Sequence, residues 1–165
     1  SQSKPNSTNN LRGNTMSSFL DELKNGWQSV LNNIKNAAAK FKSVDFRDAV
    51  LSICAMVAAA DGVIAQEERD KVKRLIMSNE ALGHFTPSDL GKQFESYVPK
   101  ALDDFGILDL EKIVGKLRGK ADEADMAVKI GIIIANSDGD FADSEKKVMV
   151  AIIKKLGLNT ADYGL

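Results

Sequence analysis

Cysteine and long apolar runs are both scarce in this 165-residue sequence. Its single cysteine, Cys54, cannot form an internal disulfide, and its apolar neighbours indicate a buried, unreactive thiol. The longest apolar runs, 53–60 and 130–135, are far shorter than the roughly 18 residues that cross a bilayer, and no basic-then-apolar signal opens the chain. Together these absences predict a reducing, cytoplasmic location.

The sequence also has no excess of charge of either sign. Its 22 basic and 23 acidic side chains give a formal net charge of -1. A chain without a basic surplus has no general electrostatic attraction for nucleic acid, so we expect no nucleic-acid partner. Recognition by charge must therefore depend on local clusters.

Residues 1–15 contain almost no large apolar side chains, and most of them are polar or turn-forming. Such a segment buries too little surface to offset the entropy of ordering, so we expect a disordered leader or an expression remnant. The remainder, 16–165, is long enough for one domain with a core of its own.

Alternating strand patterns are absent too, and helical periodicity takes their place. Between 17 and 41 the apolar residues recur at three- and four-residue steps, which predicts one long amphipathic helix. The same reasoning predicts further helices at 45–60, 66–79, 87–98, 104–118, 122–136 and 144–156, with a short turn at 160–163. The predicted fold is all-α, a compact bundle of about seven helices.

An internal repeat is the most informative feature of the sequence. Residues 57–68 and 134–145 both carry Asp-Gly, one variable residue, a large apolar residue, alanine, two more residues and glutamate. An offset of 77 aligns Asp61 with Asp138 and Glu68 with Glu145. This match predicts two pseudo-symmetric helix-loop-helix hairpins within the bundle.

A purely structural role explains part of each repeated motif. Gly62 and Gly139 can adopt the left-handed conformation that ends a helix. Glu68 and Glu145 then fall in the first turn of the next helix, where a carboxylate gains about 0.3–1 kcal/mol from the helix dipole. The acids of both loops are therefore explained in part as helix caps.

The second loop carries more acid than capping requires. Four carboxylates stand within eight residues without an intervening lysine or arginine: Asp138, Asp140, Asp143 and Glu145. Such oxygen-rich clusters suit a hard divalent cation, with calcium first, and the lack of cysteine and histidine argues against zinc. The spacing does not fit an EF-hand. Asp61 and Glu68 form the corresponding set in the first loop, and an acidic protein-docking face or solvated caps remain the alternatives.

The paired motifs resemble those of the TerB family of bacterial tellurite-resistance proteins. The segments are Ala-Ala-Asp-Gly-Val-Ile-Ala-Gln-Glu-Glu and Ile-Ala-Asn-Ser-Asp-Gly-Asp-Phe-Ala-Asp-Ser-Glu-Lys, and the resemblance extends from Met16 to Leu165. It implies an all-helical stress-response domain with an acidic, cation-binding surface. It also implies association with other Ter proteins, including the membrane protein TerC, and hence a place at the inner membrane face. Val63 stands where the second loop has Asp140, so the two loops are not expected to bind a cation equally.

Three functions follow from these observations. The first is a non-enzymatic module without an organic cofactor that binds a divalent cation or partner proteins through its acidic loops. The second is a membrane-peripheral scaffold that uses Phe19 and Trp27 of the amphipathic N-terminal helix. The third is a hydrolytic enzyme, against which stands the only histidine, His84, a loop residue that no motif pairs with a serine or cysteine nucleophile. The sequence predicts no catalytic residues.

Overall fold

The structure, a computed structural model, describes residues 17–165, and within that range it contains helices and loops without any strand. Eight α-helices follow one another: α1 Phe19–Asn25, α2 Trp27–Ala38, α3 Val44–Ala58, α4 Gln66–Met77, α5 Pro87–Ala101, α6 Asp104–Gly115, α7 Ala121–Ala135 and α8 Asp143–Lys155. Two short 3₁₀ turns lie at Glu80–Leu82 and Thr160–Tyr163. The predicted all-α bundle is confirmed. The prediction for 1–15 falls outside the described residues.

The prediction of one unbroken helix from 17 to 41 is wrong, which is why the described chain has eight helices where about seven were expected. The chain turns at Gly26, which ends α1 by donating its N–H to the carbonyl of Glu22 and precedes α2. Glycine is a poor helix former, by about 1 kcal/mol relative to alanine. The apolar spacing continues across the break, so periodicity alone could not show it.

Short polar side chains explain where several helices begin. Ser18 accepts a hydrogen bond from the N–H of Asp21, and Ser43 accepts one from Phe46. Thr86 caps α5 with Pro87 in the first turn, at the start that the sequence predicted for this helix. Each such cap stabilises a helix by about 1 kcal/mol, so the local sequence fixes these starting points.

The centre of the bundle is formed by α3 and α7. Both are apolar on nearly every side, and each is buried over most of its length. Gly131 of α7 lies against Ile53 of α3, and a Cβ at Gly131 would come within 2.6 Å of Ile53 Cγ2. The lack of a side chain at Gly131 therefore allows the two central helices to approach closely.

Cys54 lies inside this core, on α3, with 3% of its surface exposed. Burial raises the pKa of its thiol to about 12. Because the thiolate is the reactive form, the thiol is inert at neutral pH, in agreement with the sequence prediction.

The N-terminal helices face the core and not a lipid surface. Phe19 is 3% exposed, and Trp27 is half-buried against the core cluster. The membrane-peripheral alternative needs these side chains free to enter a membrane, and Phe19 is not free because it is packed in the core. None of the helices within 17–165 is long and apolar enough to cross a bilayer.

Candidate functional site

Two helical hairpins carry the repeated motifs. The first is α3, a loop at 59–65 and α4, and the second is α7, a loop at 136–142 and α8. Val44 and Ala121 begin the first helix of each hairpin, and Gln66 and Asp143 begin the second, so corresponding helices start 77 residues apart. The offset seen in the motifs therefore holds for the helix boundaries as well.

The two loops share one backbone conformation. Asp61 accepts a hydrogen bond through Oδ1 from the N–H of Val63 at 3.3 Å, and Asp138 accepts one in the same way from Asp140 at 3.1 Å. Gly62 and Gly139 both have left-handed backbones, with φ of 88° and 79°. Each Asp-Gly pair thus forms an aspartate-stabilised turn in which glycine supplies the positive φ. The glycines lie within the loops, past the residues that end α3 and α7.

We expect Gly62→Val and Gly139→Val each to lower the free energy of unfolding by about 1–2 kcal/mol, because a β-branched residue is strained at positive φ. Nothing lies within 4 Å of a Cβ built at either glycine, so strain in φ is the only cause. Urea titration of each variant measures the loss. Asparagine tolerates left-handed φ, so Gly62→Asn should cost clearly less, and equal costs for the two substitutions would show that φ is not responsible.

The two loops meet at one cleft, which we call the acidic cleft. Its volume is about 320 Å³, and its acidic lining comes from both hairpins: Asp61, Glu68, Asp138, Asp140 and Glu145. Asp143, the first residue of α8, is exposed and does not line it. Five of the six acids singled out in the sequence thus line one concave surface. The sequence motifs alone had indicated two separate sites, one in each loop.

A lysine from the first hairpin reaches into the acids of the second. Lys71 of α4 places Nζ 2.6 Å from Oδ2 of Asp138. The hydrogen bond to Asp138 raises the pKa of Lys71, with further contributions from Glu68 and Glu145. The same bond lowers the pKa of Asp138. The Lys71 ammonium is therefore a built-in counter-ion of the acidic cleft.

Glu145 is a partly buried acid of the cleft. Its Oε1 accepts a hydrogen bond from the N–H of Ala142 at 2.9 Å, which places it as a cap of α8. Burial, followed by the charge of Glu68 and of the aspartates, raises the pKa of Glu145. Because the pKa of Glu145 is higher in the folded chain, this group stabilises the fold below the ordinary carboxyl pKa. That contribution is lost as the pH rises through the pKa of Glu145 in the folded chain. Added positive charge in the cleft would oppose that loss.

The arrangement of the acids is open and not a closed coordination shell. Within 17–165 no three histidine, cysteine, aspartate or glutamate side chains converge as a ready metal site. Asp61 and Asp138 each use one oxygen in a turn, and Asp138 gives the other to Lys71. A cation bound here would need the lysine to leave and the acids to turn inward.

Sequence reasoning missed Lys71 because it is 67 residues from Asp138. The repeat holds one trace of it: the offset of 77 aligns Lys71 with Val148, an apolar residue. A lysine that replaces an apolar residue of the other copy, one helical turn after Glu68, was a signal of asymmetry between the hairpins. Only the tertiary structure shows where its charge lies.

His84 takes a structural part in the described chain. Its Nε2 donates a hydrogen bond to the carbonyl of Ala39, which joins the loop before α5 to the end of α2. Its position agrees with the sequence analysis, which placed His84 in a loop.

This all-helical domain, with like hairpins joined at an acidic cleft, matches a family of the stress response. Residues 47–165 match the family model described as "Tellurite resistance protein TerB". The chain belongs to the TerB family.

A curated relative from Alcaligenes sp, "Tellurium resistance protein TerB", is 25% identical over 117 residues. That alignment covers 70% of this chain and 96% of the relative. No solved structure matches the chain. The family match begins within α3, so it includes both hairpins and the whole cleft.

Proposed function

We propose that this chain is a non-enzymatic stress-response module that binds a divalent cation, calcium first, at the acidic cleft. One observation carries the proposal: carboxylates from two hairpins, far apart in sequence, line a single concave surface. Calcium accepts six to eight oxygens at about 2.3–2.6 Å in flexible geometry, so carboxylates, loop carbonyls and water can share one shell.

A cation that binds at Asp138 must displace the Lys71 ammonium. This ammonium neutralises Asp138, so a cation that enters the cleft must replace one positive charge by two. The side chain of Lys71 is 33% exposed, which leaves it room to turn toward solvent. Release of Lys71 would accompany each binding event and present a changed charge at the surface of α4. Binding thereby becomes a signal that a partner protein can detect.

A protein partner is the second candidate for the same surface. Asp138 keeps 48% of its side chain exposed, and Glu68 is exposed as well, so a basic surface can reach both. The family suggests other Ter proteins, including the membrane protein TerC, as such partners. Their recruitment would place the chain in the cytoplasm at the inner membrane face.

We expect Lys71→Met to tighten calcium binding by about tenfold, because it removes a competing positive charge while the aliphatic part of the side chain is kept. Isothermal titration calorimetry at one salt concentration measures the change in Kd.

Lys73→Met is the matched control. Lys73 lies on the same helix, but its Nζ is 3.6 Å from Glu95 and away from the cleft. It makes the same change in net charge, so it should leave the Kd nearly unaltered. If both variants bind calcium equally more tightly than the parent, net charge explains the effect and Lys71 is not a competitor. If neither binds calcium, the protein partner becomes the better account of the cleft.

A further inference from the structure

Three of the large apolar side chains exposed in the described range stand together at the beginning of α6. Phe105 is 81% exposed, Leu108 52% and Leu102 44%. Phe105 and Leu108 are three residues apart, so they lie on one side of the helix. A fully formed helix that displays phenylalanine to water is uncommon for a free surface and typical of an interface.

Charged side chains on α6 are arranged by sign along the helix. Asp104 and Asp109 are exposed in its first half, and Lys112 and Lys116 are exposed at its end. We call Asp104, Phe105, Leu108, Lys112 and Lys116 the α6 face. Because Asp104 stands at the start of this face and Lys116 at its end, a second α6 in antiparallel orientation places opposite charges at both ends of the contact.

We propose that the α6 face binds a second copy of this chain, with the two α6 helices antiparallel about a two-fold axis near Leu110. In that register Asp104 of each copy faces Lys116 of the other. Phe105 meets Gly115, and Leu108 meets the aliphatic part of Lys112. A two-fold contact of this kind uses the same residues twice, so each favourable pair is repeated.

Gly115 leaves room on the surface of α6 for Phe105 of the second copy. A Cβ at Gly115 would have only Lys155 Cε near it, at 3.6 Å, so the surface above the glycine is open. An aromatic ring from the second copy can rest there. The Nζ atoms of Lys116 and Lys120 each lie 3.9 Å from a carboxylate oxygen of Asp45. When Lys116 turns outward to the second copy, Lys120 therefore remains paired with Asp45.

An apolar cleft beside α6 extends the surface. It has a volume of about 220 Å³ and separates α6 from α8 above the end of α3; Met56, Ile107, Val114, Val148 and Ala151 are among its lining residues. None of its lining residues belongs to the α6 face, so the cleft flanks the contact between copies and is not required for it.

The charges favour a second copy over a membrane. Asp104 and Asp109 would meet anionic headgroups with like charge, whereas in the antiparallel pair Asp104 faces Lys116 and Asp109 keeps its ion pair with Lys100 of its own chain. The contact is independent of the acidic cleft, because none of the residues that line that cleft belongs to the α6 face.

Sedimentation velocity over about three decades of protein concentration tests the proposal. The parent chain should convert from monomer to dimer, and Phe105→Ser should weaken the dimer at least about tenfold. Val63→Ser is the control, since Val63 is 69% exposed in the first loop and lies off the α6 face. A parent that stays monomeric throughout, or a Phe105→Ser chain that dimerises like the parent, overturns the proposal. Binding of the monomeric parent to anionic vesicles through Phe105 would overturn it in favour of a membrane surface.

Mixing two charge variants tests the register. Asp104→Lys and Lys116→Asp should each weaken self-association, because each places like charges opposite one another twice. In the mixed dimer every new lysine faces a new aspartate, so an equimolar mixture should regain the dimer. Circular dichroism checks that both variants remain folded. Two folded variants that stay monomeric when mixed would contradict antiparallel α6 pairing.

Discussion

Gly106→Ala should lower the free energy of unfolding by about 3 kcal/mol or more, near the upper end of the cost of overpacking. Gly106 lies in the first turn of α6, where the backbone of α5 crosses it. A Cβ there would stand 2.5 Å from the carbonyl oxygen of Lys100 and 2.6 Å from its Cα. Both neighbours are backbone atoms, so no side-chain rotation relieves the overlap. The gain in helix propensity, about 1 kcal/mol, is too small to compensate.

Gly115→Ala in the same helix is the matched control. The nearest atom to a Cβ at Gly115 is the flexible end of Lys155 at 3.6 Å, an ordinary contact. That variant should be neutral or slightly more stable than the parent. Thermal melts of dilute samples should then show Gly106→Ala lower by roughly 6–12 °C and Gly115→Ala nearly unchanged. Equal melting temperatures for Gly106→Ala and the parent would mean that α5 and α6 do not cross as closely as described.

The second large effect concerns calcium. At a free concentration about a hundred times its Kd, a ligand of the folded state adds roughly 2.7 kcal/mol of stability, or about 5–10 °C in Tm for a chain of this size. Asp138→Asn combined with Asp140→Asn should abolish that rise and preserve helicity. Asp61→Asn should leave a measurable part, because the cleft keeps its other acids.

Asp143→Asn provides the control for charge. It removes one carboxylate from the same loop region, but Asp143 is exposed and outside the lining of the cleft. It should keep most of the rise in Tm, provided that all samples share one salt concentration. A double variant that responds to calcium as strongly as the parent would leave helix capping as the better account of Asp138 and Asp140.

The sequence predicted most helices to within a few residues, because apolar spacing, caps and glycines are local signals. Thr86 and Pro87 mark the start of α5 without reference to the rest of the molecule. Gly26 shows the limit of such signals: the apolar spacing runs through it unbroken, and only the packing of α1 and α2 shows the turn. The close crossing at Gly106 is likewise a property of two helices together.

The acids of the candidate site could be predicted from the sequence, but their meeting in one cleft could not. The motifs singled out Asp61 and Glu68 in the first loop, and Asp138, Asp140, Asp143 and Glu145 in the second, as two separate sets. That both loops face one cleft follows from how α3 and α7 pack, which no single motif contains. Lys71 changes the electrostatics of the whole set, and its partner in the sequence repeat is a valine.

A calcium titration followed by amide NMR shifts shows whether the two loops form one cation site, because it reports each loop separately. We predict saturable shifts in the amides of 61–68 and of 138–145 that share one Kd, with a parallel change at Lys71. The two loops then act as one site. Shifts confined to one loop, different affinities for the two, or no saturable shift at all would contradict it.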